Sequence, residues 1–277
     1  MPVRLIALDL DGTLVQPGER VADADVAAVK RARAAGITVT IATGRISTGA
    51  LAVARMLELD APLVCADGAV LCDPVTGACI ESTPMNVTVV EGLTHTLREH
   101  DAHSFWFTAD EIHGEEGGHF VTDYIRTWSP SVSLHPKLHG SPAWEMRHRV
   151  AMAVGIGARP SLDRTVSWIA REHPDRLSVA VFPMGQTGHW TLLARSADVD
   201  KARGLERLGQ RIGVTAAETA VVGDWINDIP MFRWAGRSFA MGQSPPEVAR
   251  HATDHLRATH RTGGGVAEAI SLLLDDD

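Results

Sequence analysis

Two aspartates, Asp9 and Asp11, stand two residues apart in the segment Asp9-Leu10-Asp11-Gly12-Thr13-Leu14, at the end of an apolar stretch of strand length over residues 4–10. In extended backbone, residues i and i+2 share a face, so both carboxylates point the same way at a strand end. Like charges so close resist joint ionisation unless a cation lies between them or one keeps a proton. Hard oxygen donors with an open coordination shell suit Mg²⁺. Aspartates also serve turns by bonding their own backbone, so the pair takes its meaning from its company.

That company is Gly223-Asp224-Trp225-Ile226-Asn227-Asp228, which follows a second apolar run. Asp224 can complete a cation site. Asn227 and Asp228 read either as members of the same site or as the N-cap and first turn of a helix. After a third apolar run stands Thr43-Gly44-Arg45, offering a hydroxyl, backbone N–H groups near a helix start and a guanidinium, all tools for binding phosphate. Lys201 opens a later helix in a chain with 3 Lys beside 23 Arg. A compact point charge on a flexible stem suits a phosphoryl oxygen, although one lysine at a helix start is also ordinary.

The elements that position these residues alternate. Residues 4–10 read as a strand and residues 23–35 as a helix, with Asp23 as N-cap and Gly36 beyond its end. Residues 37–42 read as a buried strand. A second helix carries Val53, Met56 and Leu57 on one face, and residues 62–66 form another short strand. Strand-helix alternation predicts an α/β fold, a doubly wound parallel sheet whose ligands sit at the carboxyl ends of the strands. The rhythm stops near Pro84. A helix over 86–100 is followed by a strand over 103–108, an acidic glycine-rich turn, strands at 150–154, 177–182 and 189–193, and a helix over 161–172. This is an inserted α+β module. After Asp200 the first rhythm resumes, with Leu205, Leu208 and Ile212 on one helix face, a strand at 219–222 and a helix near 227–235.

Taken together, these strand ends closely resemble the haloacid dehalogenase superfamily of aspartate-nucleophile phosphatases, in its Cof-like branch with an α/β cap. The resemblance rests on DLDGTL at residues 9–14, ATGR at 42–45, Lys201 and GDWINDIPM at 223–231, supported by SFAMGQSPPEV at 238–248 and GGGVAEAI at 263–270. It implies a catalytic core over 1–83 and 195–277 and a substrate-specificity cap over 84–194. Asp9 would be the nucleophile and Asp11 the acid and base, with an aspartyl-phosphate between two displacements. Mg²⁺ would be held by Asp9, the Asp11 backbone carbonyl and Asp224, with Asp228 behind or acting through water. Thr43, Gly44 and Lys201 would bind the phosphoryl group, and Asn227 would orient the loop or Lys201. Asp67-Gly68-Ala69 stands where relatives commonly carry Asn-Gly-Ala, and Ala202 where Gly is frequent. Asp67 adds negative charge, either touching substrate or shaping its turn.

The function expected is Mg²⁺-dependent hydrolysis of a small phosphorylated metabolite, foremost a sugar phosphate. Intramolecular phosphoryl transfer, as in a sugar phosphate mutase, is the alternative reaction, and a noncatalytic ligand sensor the alternative class. A sensor has no need of nucleophile and acid/base together. The 26 Lys+Arg against 34 Asp+Glu give a net charge of −8, which argues against nucleic acid as partner. With no apolar run of about 18 residues and no secretory signal at the start, the chain is expected in the cytoplasm. Cys65, Cys72 and Cys79 read as reduced, buried small hydrophobes, Cys72 and Cys79 facing each other across a hairpin turned at Pro74 and Gly77. Residues 155–160 lack the third glycine of a dinucleotide fingerprint and read as a loop. Gly263-Gly264-Gly265 reads as a turn into the last helix, Asn86-Val87-Thr88 as a sequon without meaning in the cytosol, and Asp275, Asp276 and Asp277 as a solvated tail. Residues 84–194 hold 10 of 13 His and 10 of 14 aromatic residues, side chains suited to a sugar or aromatic leaving group or to the module's own core.

Overall fold

The computed structural model describes residues 2–117, 119–185 and 187–275; Asp276 and Asp277 of the expected tail lie outside them. The chain forms two compact units, one of Met1–Gly44, Ala50–Ile80 and Asp200–Asp277, the other of Arg45–Gly49 and Glu81–Val199.

In chain order the first unit begins with β1 (Leu5–Leu8), β2 (Val15–Gln16), β3 (Arg20–Val21), α1 (Asp23–Ala34), β4 (Thr38–Ile41), α2 (Ser47–Met56, whose first residues belong to the other unit), β5 (Leu63–Cys65), β6 (Val70–Cys72) and β7 (Cys79–Ser82, whose last two residues belong to the other unit). The second unit holds α3 (Val87–Glu99), β8 (His103–Phe107), β9 (Ile112–Glu115), α4 (His119–Arg126), β10 (Val132–His135), β11 (Met152–Gly157), α5 (Arg159–Glu172), β12 (Leu177–Pro183) and β13 (Trp190–Ser196). The first unit resumes with α6 (Lys201–Ile212), β14 (Thr219–Gly223), α7 (Ile229–Trp234), β15 (Arg237–Ala240), α8 (Pro246–Ala249), β16 (Asp254–His255) and α9 (Gly265–Asp275).

The Leu-Ile-Ala-Leu of β1 is buried at every position, as a strand covered on both faces must be. It lies centrally in a parallel sheet of order β16-β15-β14-β1-β4, with Leu8 beside Val222 on one side and Ile41 on the other. This register aligns the carboxyl ends of three neighbouring strands, so Asp9, Thr43 and Asp224 leave the sheet along one edge. Ala42 continues the pattern with a parallel bridge to Val64 of β5, a strand of a small β5-β6-β7 sheet. The α/β architecture with a parallel core sheet agrees with the expectation.

The second unit is a six-stranded sheet, β10-β9-β8-β11-β13-β12, antiparallel except for β9 with β10. Leu93 and Leu97 of α3 and Leu162 and Ile169 of α5 pack on Trp106, Ala153 and Ala194. The buried Trp106 indole donates to Thr94 Oγ1 at 2.8 Å.

Glycine misleads twice here. The acidic, glycine-rich segment after β8 is not simply a turn, since it contains β9 and leads into α4. Residues 155–160 are not a loop, since Gly155 and Gly157 lie in β11 and Arg159 begins α5. These glycines serve packing. A Cβ at Gly114 would lie 2.2 Å from the Phe105 ring, and one at Gly155 would lie 2.4 Å from Leu97.

Smaller corrections have similar local causes. Met56 is 48% exposed, so it leaves the buried face of α2 that Val53 and Leu57 mark. Ala22, not Asp23, is the N-cap of α1. Asp25, one turn in, instead caps α9, accepting from Gly264 N at 2.9 Å and Ala267 N at 2.8 Å, so the triple glycine cradles this carboxylate. Asn86 caps α3 through Thr88 N. Cys65 and Cys72 are buried but Cys79 is exposed. The Asp73 N to Ala78 O bond closes the turn that joins Cys72, the last residue of β6, to Cys79, the first of β7.

Candidate active site

Asp9 leaves β1 with its N–H donating to Val222 O at 3.0 Å, which keeps it in register at the sheet edge. The same edge receives Lys201, the first residue of α6. Asp200 caps that helix by accepting from Arg203 N at 2.8 Å. The start of α6 docks closely against the 66–68 loop: a Cβ at Gly68 would lie 2.0 Å from Asp200 O, and one at Gly204 would lie 2.7 Å from Gly68 Cα. Lys201 is 1% exposed. Its Nζ donates to Asp9 Oδ1 and to Asp228 Oδ1, both at 2.6 Å.

Asp228 stands at the N-cap position of α7 but makes no side-chain cap hydrogen bond there. Its Oδ2 accepts from Asp224 N at 2.8 Å and Trp225 N at 2.9 Å, folding residues 224–228 into a tight loop that aims Asp224 back at the sheet edge. Carboxylate oxygens of Asp9, Asp224 and Asp228 lie within 4.8 Å of one another, all three residues buried. Asp224 accepts from Thr13 Oγ1 at 3.4 Å and Gln243 Nε2 at 3.2 Å. Gly12, with φ +86°, is what lets Asp224 approach, because a Cβ there would sit 2.3 Å from Asp224 Oδ2.

The remaining expected residues are placed differently. Asp11 is exposed at the rim, bridged to Val15, and its carboxylate is outside the oxygen cluster. Thr43 is buried, and its N–H is committed to Val64 O at 2.9 Å. Asn227 turns toward Asp67, donating from Nδ2 to Oδ1 at 2.9 Å, so its orienting contact is with the loop. Asp67 adopts the left-handed conformation, φ 51°, which Asp tolerates better than most residues. Its N–H donates to Thr43 O at 2.9 Å, and its Oδ1 would lie 3.3 Å from a Cβ on Gly44. Asp67 thereby links Thr43-Gly44 to Asn227. Two contributors, Thr13 and Gln243, carried no sequence signal beyond lying inside recognised segments, because their roles depend on which strand ends become neighbours.

Electrostatically the site holds more negative charge than it can balance. Burial pulls the Lys201 pKa down, but Asp228, Asp9 and Asp67 outweigh it and push it up, so the ammonium stays charged. Burial pushes the Asp9 carboxyl well above its ordinary value; Asp228 and Asp224 add to this and Lys201 opposes it. Asp224 is pushed up to about 6, first by burial and then by Asp228. With all three carboxylates ionised against one ammonium, two negative charges would be uncompensated, and burial and mutual repulsion hold that state back. An all-oxygen donor set with that charge fits a hard divalent cation.

The fold and site are thus a parallel sheet with a buried lysine held between carboxylates at its carboxyl edge. Residues 6–270 match the family of haloacid dehalogenase-like hydrolases, and the chain belongs to that family. It is similar to the pyridoxal phosphate phosphatase YbhA of Escherichia coli (strain K12), 29% identical over 91% of this chain and 92% of that protein. It is also similar to the HMP-PP phosphatase of Cronobacter sakazakii, 24% identical over 98% of this chain and 96% of that one. Among solved structures, a haloacid dehalogenase-like hydrolase from Bacteroides thetaiotaomicron superposes with a TM-score of 0.81 at 23% identity, covering 98% of this chain and 99% of its own. These similarities place the chain with the Cof-like phosphatases, enzymes of the phosphoric monoester hydrolase class.

Proposed function

We propose that this chain is a Mg²⁺-dependent phosphatase that hydrolyses a small phosphorylated metabolite through an aspartyl-phosphate. The observation that carries the reading is the buried Lys201 ammonium held 2.6 Å from both Asp9 and Asp228, beside the third carboxylate, Asp224. Asp9 and Asp224, with the Asp11 backbone carbonyl, would hold the cation, and Asp228 would stand behind them. When bound, the ion supplies charge neutralisation for phosphoryl oxygens.

In the first displacement an Asp9 oxygen attacks phosphorus, the bond from phosphorus to the leaving oxygen breaks, and Asp11 gives that oxygen its proton. In the second, water attacks phosphorus while Asp11 takes its proton, the bond to Asp9 breaks, and phosphate and the Asp9 carboxylate are released. Asp11 at the exposed rim can meet both a departing alcohol and incoming water. An ammonium has three donors; two of those on Lys201 go to Asp9 and Asp228, and the third meets a phosphoryl oxygen. The Thr43 hydroxyl and the Gly44 N–H share that task, and Asn227, held by Asp67, lines the same loop.

The substrate class is foremost a sugar phosphate, and pyridoxal phosphate, which the relative's name prints, is a second substrate to test, with pyridoxal as its leaving group. The unit spanning 81–199, rich in His and aromatic side chains, is assigned the choice between them. Among the described residues no helix is long and apolar enough to cross a membrane, and the acidic net charge gives no support to nucleic-acid binding; a cytoplasmic enzyme on a small metabolite fits both.

The test is hydrolysis of a panel of sugar phosphates and pyridoxal phosphate, with Mg²⁺ and with EDTA, by wild type and Asp9→Asn. Loss of the nucleophile is expected to lower kcat by about 10⁴-fold or more. Equal rates in both proteins would refute the mechanism. A phosphate moved within one sugar, followed by ³¹P NMR, would make the enzyme a mutase.

A further inference from the structure

The segment SFAMGQSPPEV helps to mark the family, yet the mechanism gives none of its side chains a task. The structure assigns one: we infer that Gln243 is a positioning residue for the cation site, its amide holding the Asp224 carboxylate in its ligating arrangement and tying it to the Gly12 carbonyl, next in the chain to the Asp11 carbonyl. The inference rests on the function proposed above.

The orientation of the amide is set on both sides. Gln243 Oε1 accepts from His260 N at 3.0 Å, so Nε2 must face the other way. There it donates to Gly12 O at 2.5 Å and to Asp224 Oδ2 at 3.2 Å. The two N–H bonds of one rigid planar group therefore join the loop after β1 to the loop after β14, and the backbone N–H of His260 anchors the group. Gln243 and its three partners all belong to the unit that carries Asp9 and Lys201.

The surroundings show why a donor is needed. Asp224 is buried beside Asp228 and Asp9, so repulsion drives its carboxylate away from them. Its partners are two: Thr13 Oγ1 at the long distance of 3.4 Å and Gln243 Nε2 at the shorter 3.2 Å. Gly12 has no side chain to block the approach, and a Cβ there would fall within 3 Å of three Asp224 atoms. Gly12 thus admits Asp224, and the Gln243 amide holds the carboxylate there. Partners of metal-ligating carboxylates commonly change metal affinity or activity by about 10- to 100-fold when removed.

The test compares wild type with Gln243→Met, which keeps the volume and removes the donor, and Gln243→Asn, which keeps an amide one methylene shorter. The readouts are Mg²⁺ and Mn²⁺ affinity by isothermal titration calorimetry without substrate, melting temperature in EDTA, and KM and kcat for p-nitrophenyl phosphate at saturating metal. The expected result for Gln243→Met is metal binding weaker by about 10- to 100-fold, with KM at saturating metal within about twofold of wild type and the EDTA melting temperature little changed. Gln243→Asn is expected to recover part of the affinity. Gln243→Met binding metal like wild type would overturn the assignment. Equal loss in both variants together with a lowered EDTA melting temperature would also overturn it, by making Gln243 merely structural. If wild type itself binds neither metal, the proposed function falls and this assignment falls with it; the two failures are thus told apart by the wild-type titration.

Discussion

Replacing Asp224 by Asn should stabilise the metal-free protein, and increasingly so as pH rises. Asp224 is 8% exposed and its pKa is pushed from 3.8 to about 6 by burial and by Asp228. The folded state therefore keeps the proton more tightly than the unfolded chain. Below pH 3.8 both states are protonated and the carboxyl costs nothing. Between 3.8 and about 6 the unfolded chain ionises first, so stability falls with rising pH, and above about 6 the loss is complete. Two pKa units correspond to about 3 kcal/mol, and because unfolded Asp is already part-ionised at pH 4, the growth between pH 4 and pH 7.5 is about 2 to 3 kcal/mol. For a chain of this size that is a melting shift of about 5 °C or more. The assay is thermal melting of wild type and Asp224→Asn in EDTA at pH 4 and pH 7.5, repeated with Mg²⁺. The gap in favour of the variant should widen by that amount in EDTA. With Mg²⁺ at pH 7.5 it should shrink or reverse, since only wild type keeps the full ligand set. A gap independent of pH would refute the electrostatic reasoning.

Gly12→Ala should destabilise the fold by more than about 1 kcal/mol through its left-handed φ alone, and should abolish the Mg²⁺-induced rise in melting temperature, because the new methyl falls 2.3 Å from Asp224 Oδ2; a normal Mg²⁺ response would contradict the packing argument. Asp25→Ala leaves Gly264 N and Ala267 N at the start of α9 without their acceptor and should cost about 1–3 kcal/mol. Its effect should appear in the urea midpoint and not in the Mg²⁺ dependence of activity, and an unchanged midpoint would show the cap to be dispensable.

The chemistry-bearing residues were legible before the fold because their types are demanding. Asp9, Asp224, Asp228 and Lys201 follow or adjoin apolar runs of strand length, and a parallel sheet delivers whatever follows its strands to one edge. Strand-helix alternation and full burial of β1 carry that architecture in the one-dimensional pattern. The glycine-rich segment after β8 and residues 155–160 look like turns in sequence, whereas Gly114 and Gly155 admit Phe105 and Leu97 within strands. Cys79 was misjudged because a short hairpin strand does not announce which of its neighbours will cover it.

Partnership within the site belongs to tertiary structure alone. No one-dimensional pattern specifies that Lys201 bridges Asp9 and Asp228, 192 and 27 residues away, or that Asn227 turns to Asp67 across 160 residues. Nor does any place Gln243 against Gly12, 231 residues away. Residue type specifies which interactions a side chain is able to make. The distance and burial that turn a possible interaction into an actual one are set by strand register and by glycines that let loops approach. Buried charge makes the difference consequential, since the same carboxylate that is unremarkable in water reaches a pKa of about 6 at Asp224 when the fold removes its solvent and supplies a second carboxylate beside it.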